Sequence, residues 1–214
     1  MIYPFPSSGL YAIVNADRNT AADICLDVEE AIIGGARVIQ YRHKAGTPQP
    51  SLAQYLLKLC HAYGIPLIVN DDIELARAIR ADGVHLGRDD QAIDRARERL
   101  GNNAIIGVSC YDSISRGITA QEKGAAYVAF GRFFPSKSKP DATPADKSIL
   151  RRAKTAVQVP VVAIGGITPE NGMALLEAGA DLLAVIDGIF GASDKREAAT
   201  AYRELFRNTA IGEF

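Results

Sequence analysis

Three observations predict that this chain is an α/β protein folded as a single-domain (β/α)8 TIM barrel. Eight short runs rich in Val, Ile and Leu alternate with segments of helical period. The runs are apolar on both faces, as the strands of a parallel sheet must be when helices cover it on both sides. A similarity also recurs every second unit: the second, fourth, sixth and eighth runs are entered through "GGARVI", "RADGVHL", "KGAAYVAF" and "EAGADLLAV", whereas two odd runs begin "GIPLIVND" and "QVPVVAIGG". That spacing fits a closed barrel, whose interior layers draw on alternate strands. An open doubly wound sheet would use the same elements, but no G-x-G-x-x-G follows the first run.

In chain order, residues 1–8 are an N-terminal extension carrying Pro4 and Pro6. "LYAIV" from Leu10 is the first strand and "AADICLDVEEAIIGG" its helix. "RVIQYR" from Arg37 precedes "SLAQYLLKLCHAYG", and "PLIVND" from Pro66 precedes "DIELARAIRA". "GVHLG" from Gly83 is followed by "QAIDRARERLG", and "AIIGVS" from Ala104 by "SISRGITAQEKG". "YVAFG" from Tyr127 leads through a long loop, 136–146, to "DKSILRRAKTAV". "PVVAIGG" from Pro160 leads to "PENGMALLEAG", and "DLLAVI" from Asp181 to a last helix "DKREAATAYRELFRN". One domain spans 1–214.

The composition narrows the class. With 214 residues, 48% hydrophobic, no Trp and a formal net charge of -1, the chain can bury a core and has no basic excess for nucleic acid. No basic region precedes the short apolar run at the N-terminus, and no stretch approaches the roughly 18 apolar residues of a membrane span. A cytoplasmic protein, without nucleic-acid or membrane partners, is expected; a homo-oligomer is compatible with the sequence. Cys25, Cys60 and Cys110 are odd in number and far apart, and His43, His61 and His85 lack zinc-site spacing, so neither a disulfide framework nor a zinc site is expected.

In a barrel, chemistry sits where strands end and βα loops begin. The second strand ends "QYRHK", where period-two alternation sends Gln40, Arg42 and Lys44 to one side and Tyr41 and His43 to the other. The third ends in Asn70, Asp71 and Asp72; the fourth is followed by Arg88, Asp89 and Asp90. Helix capping explains either acid pair alone. A second reading puts Asp71 and Asp90 on adjacent loops as a carboxylate pair for Mg²⁺, with water and substrate phosphate filling the other positions, and leaves Asp72 and Asp89 as caps. Capping alone gives the nearby Arg42 and Lys44 no task.

The fifth strand ends in Ser109. "GRFFPSKSKP" after the sixth opens a loop with two hydroxyls and two lysines, a candidate lid as well as an ordinary surface loop. "AIGGITPEN" follows the seventh, with Gly165 and Gly166 allowing a ligand near the backbone, Thr168 as N-cap and Pro169 at the first helical position. Loops after the seventh and eighth strands are the recurrent phosphate position of this fold. The mouth is thus suited to two phosphorylated groups, a Mg²⁺-bound diphosphate and a monophosphate.

The chain resembles the thiamine-phosphate synthase (thiamine-phosphate pyrophosphorylase) family from Gly9 to about Phe206. The resemblance rests on "QYRHK" for Q-x-R-x-K, "VNDD", "GVHLGRDD" for G-h-H-h-G-Q-x-D, "GVS", "FPSKSK" for P-T-x-T-K, and "AIGGIT", in that order. It implies a Mg²⁺-dependent transferase whose small-molecule substrates are a pyrimidine diphosphate and a thiazole phosphate. Carried over, it assigns Gln40, Arg42, Lys44, Asn70, Ser109 and Lys139 to the pyrimidine diphosphate, with Arg42, Lys44, Ser109 and Lys139 catalytic, and Asp71 and Asp90 to the metal. Ser136, Ser138, Gly166, Ile186 and Asp187 fall at the thiazole phosphate. Three departures stand out: Arg88 replaces the usual Gln, serines replace threonines at 136 and 138, and Asp187 stands where a serine is usual, an acid beside a phosphate. The related thiazole tautomerases share the fold but rely on a histidine after the fifth strand, where this chain has Tyr111 nearby. Other phosphosugar barrels would not predict Q-x-R-x-K, and a ligand-binding barrel without catalysis finds support only in Asp187.

Overall fold

The structure, a computed structural model, describes residues 3–17, 20–44, 48–87, 92–135 and 145–210. Its strands are β1 (Gly9–Asn15), β2 (Ala36–Arg42), β3 (Leu67–Asn70), β4 (Gly83–Leu86), β5 (Ile105–Tyr111), β6 (Tyr127–Gly131), β7 (Val161–Ile164) and β8 (Leu182–Val185). The helices are α1 (Ala21–Gly34), α2 (Pro50–Ala62), α3 (Ile73–Ile79), α4 (Ala92–Leu100), α5 (Ile114–Glu122), α6 (Ser148–Ala156), α7 (Pro169–Leu176), α8 (Asp187–Phe190) and α9 (Lys195–Ala210). The strands pair in parallel, each with its sequence neighbour, and β8 returns to β1 to close the barrel. This is the predicted (β/α)8 architecture.

Alternation along each strand builds two cores. Ile39, Tyr41, Leu67 and Val69 point outward and pack under the helices with Val28, Leu56 and Ile73. Val38, Ile68, Ile105, Tyr127, Val162 and Leu182 point inward and fill the barrel with Tyr11 and Ile13. Gly107 explains how an aromatic ring fits there. Gly107 pairs with Tyr127 across β5 and β6, and a Cβ on it would lie 1.9 Å from Tyr127 Cζ, so only glycine leaves room for that ring. Phe5, from the N-terminal segment, stacks on Tyr127 with centroids 4.0 Å apart and planes 7° from parallel.

The recurring similarity has a structural cause at the barrel's N-terminal end. Asp82, just before β4, accepts a hydrogen bond from the Leu67 amide at the start of β3 (2.9 Å), and Asp181, just before β8, accepts one from Val161 at the start of β7 (2.8 Å). The same carboxylate thus serves the same strand junction twice. Asp82 is only 3% exposed and also faces His61 Nε2 at 2.9 Å; Asp181 meets Lys154 Nζ at 2.8 Å. A buried carboxylate needs such partners.

Caps set the helix starts. Thr20 Oγ1 accepts from the Asp23 amide, Asp72 from Leu75 and Ser113 from Arg116, each worth about 1 kcal/mol. The expectation that Asp72 serves as a cap is met; Asp89 lies outside the described residues. Two elements differ from expectation. β5 continues past Ser109 to Tyr111 through a register shift against β6. A short helix, α8, follows β8 where a loop was expected; its four residues, "DGIF", are too few to show a helical period, and Asp-Gly reads as a turn. Among the described residues no helix is long and apolar enough to cross a membrane.

Candidate active site

The C-terminal ends of the strands surround a cavity of about 580 Å³. Its β2 wall carries Gln40, Arg42 and Lys44, as alternation predicts, while His43 turns the other way, to within 2.8 Å of Asp17. Gln40 lies deepest and is buried; Lys44, past the strand end, is about half exposed. Asn70 and Asp71 at the end of β3, and Ser109 on β5, face the same space.

Asp71 reaches the cavity through an unusual backbone. Its φ is 60°, in the left-handed region that aspartate tolerates better than most residues, while its amide donates to His85 O at 2.8 Å. This turn separates Asp71 from Asp72: one carboxylate faces the cavity, the other caps α3. Asp71 Oδ2 accepts from Lys44 Nζ (2.6 Å) and Asn70 Nδ2 (2.8 Å). An ion pair this exposed contributes only about 0–1 kcal/mol. Lys44 is therefore held on the carboxylate by little. Tyr111, the other non-glycine cavity residue in the left-handed region, has φ 58°.

The opposite wall consists of Gly165, Gly166, Ile167 and Thr168 after β7, and Ile186, Asp187 and Gly188 after β8. Gly165 (φ 108°) and Gly166 (φ 63°) make room first for the chain itself. A Cβ on Gly165 would lie 2.2 Å from Arg132 Cβ, and one on Gly166 would lie 2.3 Å from Pro135 O. Thr168 caps α7 as expected, and its amide donates to Asn171 Oδ1 at 2.9 Å. After β8, Ile186 is the N-cap of α8, and Asp187 and Gly188 begin the helix at the cavity edge.

Asp90, Ser136, Ser138 and Lys139 lie outside the described residues, as does Arg88. The structure brings Gln40, Arg42, Lys44, Asn70, Asp71, Ser109, Gly166, Ile186 and Asp187 into one cavity. It adds Arg132, which directly follows β6 and was legible by the same strand-end rule as Arg42. It also adds Tyr11 and His85 deeper in the barrel, where alternation along β1 and β4 points inward. Tyr11, Tyr127, His85 and Ser109 form a polar line with Gln40 across the barrel interior. Burial raises the pKa of both phenols far above the ordinary value, so both remain neutral.

Fold and cavity together define a (β/α)8 barrel whose mouth holds cationic side chains on one wall and the glycine-containing turns after β7 and β8 on the other. The family model described as thiamine monophosphate synthase matches residues 10–189. Thiamine-phosphate synthases from Nitrosococcus oceani and Methylococcus capsulatus are 50% identical over 200 residues and 49% over 208, covering 92% and 96% of this chain and 92% of each relative. Among solved structures, a thiamine phosphate pyrophosphorylase from Pyrococcus furiosus superposes with a TM-score of 0.81 at 33% identity, covering 94% of this chain and 96% of that one. The chain belongs to the thiamine-phosphate synthase family, the transferases that condense 4-amino-2-methyl-5-(diphosphooxymethyl)pyrimidine with a thiazole phosphate to give thiamine monophosphate and diphosphate.

Proposed function

We propose that the two walls of this cavity divide that reaction between them: the β2, β3 and β5 side takes the pyrimidine diphosphate and the β7 and β8 side takes the thiazole phosphate. The observation that carries the reading is the convergence of Arg42, Lys44, Asn70, Asp71 and Ser109 opposite the first turn of α8 within one cavity. Gln40 seats the pyrimidine. Its Nε2 is committed to Tyr11 at 2.7 Å, so its amide oxygen is the end left for the exocyclic amino group.

Arg42, Lys44 and Asn70 hold the diphosphate, with Lys139 closing on it from the 136–146 loop, and Ser109 donates a hydrogen bond to it. As the bond between the pyrimidine methylene carbon and the diphosphate oxygen breaks, its electron pair leaves with the diphosphate. The electron-rich aminopyrimidine stabilises the cation that develops, and the thiazole nitrogen supplies the pair that forms the new C–N bond. No general base is required. The chain contributes charge neutralisation at the leaving group and alignment of the two rings, and one well-placed donor of this kind is worth ~10²–10³ in rate.

Asp71 fits a divalent cation, because its carboxylate faces the cavity and already holds the Lys44 ammonium on one oxygen. With Asp90 it would hold Mg²⁺, which when bound supplies further neutralisation of the diphosphate. Ser136 and Ser138 hydroxyls and the backbone near Gly166 and Ile186 hold the thiazole phosphate, and the Asp187 carboxylate turns from it. This chemistry needs neither nucleic acid nor a membrane; we place it in the cytoplasm, and a homo-oligomer is compatible with it. The test is diphosphate release from the pyrimidine diphosphate with and without thiazole phosphate. Release that depends on the thiazole supports the reading, and none under either condition refutes it.

A further inference from the structure

The polar line inside the barrel has a direction. Gln40 Nε2 can only donate, and it donates to Tyr11 OH at 2.7 Å. Tyr11 OH lies 2.7 Å from Tyr127 OH, Tyr127 OH lies 3.0 Å from His85 Nδ1, and His85 Nε2 lies 2.9 Å from Ser109 Oγ. Tyr11 and Tyr127 are fully buried, where an unmatched hydroxyl proton bears the whole cost of its lost hydration. With Tyr11 already accepting from Gln40, its own proton goes to Tyr127, and that of Tyr127 goes to His85 Nδ1. The reverse direction would send the Tyr11 proton against the NH₂ group of Gln40. Both phenols are held neutral by burial, so both keep a proton to pass along.

We propose that this one-way chain holds His85 in its Nε2–H form, so that Ser109 accepts from His85 and has its own proton left to donate into the cavity. His85 is then a positioning residue, with Tyr127 and Tyr11 behind it. The proposal rests on the reading of Ser109 as a donor to the diphosphate. The chain has a further consequence: the residue that seats the pyrimidine ring also sets the donor at the leaving group, through Tyr11, Tyr127 and His85. Gly107 belongs to the same device, since it alone leaves space for the Tyr127 ring that carries the middle hydroxyl.

The tautomer is read directly by ¹⁵N NMR of the whole protein, with the His85 ring assigned by its contacts to Tyr127. The expected result is a protonated Nε2 and a bare Nδ1. Tyr127→Phe keeps the ring against Phe5 and removes the donor to Nδ1 together with the acceptor of the Tyr11 proton. It should mix the two tautomers and lower kcat about tenfold, a fraction of what one direct donor is worth, with the KM for the pyrimidine diphosphate little changed. His85→Gln, which keeps an N–H at the Nε2 position, should retain more turnover than His85→Leu. A His85 protonated at Nδ1 in the parent, beside a disabled Ser109→Ala, overturns the chain alone. A Ser109→Ala variant as active as the parent overturns the reading of Ser109 and the chain with it.

Discussion

At the scale of single residues, Asp71 and Asp187 show how one backbone turn decides what a carboxylate does. Asp71 and Asp72 are adjacent and chemically identical, yet the left-handed turn at Asp71 sends the first into the cavity and the second onto the Leu75 amide. Asp71→Asn is therefore expected to raise the Mg²⁺ concentration needed for half activity, by at least the ~10-fold that loss of an outer-shell metal partner costs. A normal Mg²⁺ titration in that variant would remove the acid from the metal. Asp187 poses the opposite problem, an acid at the first residue of α8 beside an expected phosphate. Two unit charges 4 Å apart in water repel by about 1 kcal/mol, and by more in a drier site, so a direct contact would weaken binding severalfold. With the carboxylate turned away, Asp187→Ser leaves the KM for thiazole phosphate within a few-fold of the parent. A fall in that KM of about a hundredfold would show that the acid faces the ligand and repels it.

At the scale of elements, the sequence conveyed strands well and the short α8 not at all. Eight strands were legible because each is apolar on both faces, and the caps Asp72 and Thr168 because their chemistry is local. α8 was hidden because four residues carry no period and its position is set by the return of α9. Tyr202 on α9 donates to Ile167 O at 2.9 Å, and a Cβ on Gly188 would lie 2.2 Å from that same Tyr202 hydroxyl. Gly188→Ala must therefore shift the first turn of α8 or displace Tyr202. The expected result is a KM for thiazole phosphate raised about tenfold, the equivalent of one weakened charge-assisted hydrogen bond, with the KM for the pyrimidine diphosphate little changed. Equal effects on both substrates would mean that α8 does not serve one of them in particular.

At the scale of the whole molecule, three buried tyrosines tie stability to alkaline pH. Burial pushes Tyr202 up to about 12 from an ordinary value near 10, with the Glu170 charge adding to it, and moves Tyr11 and Tyr127 in the same direction. A phenol whose folded value is raised keeps its contribution below the unfolded value and loses it as pH climbs through the folded one. The melting temperature should therefore hold up to about pH 10 and fall steeply above it, with phenolate absorbance from these residues appearing only as the protein unfolds. Early ionisation without unfolding would contradict their burial. The sequence by itself determined the order of the elements, the alternation that puts Gln40, Arg42 and Lys44 on one side of β2, and the glycines and caps at the loops, because each depends on chemistry within a few residues. Only the tertiary structure decided which distant groups meet. Gln40, Tyr11, Tyr127, His85 and Ser109 come from five different strands. Closing the sheet into a barrel brings their inward faces within hydrogen-bond reach, which no local pattern encodes.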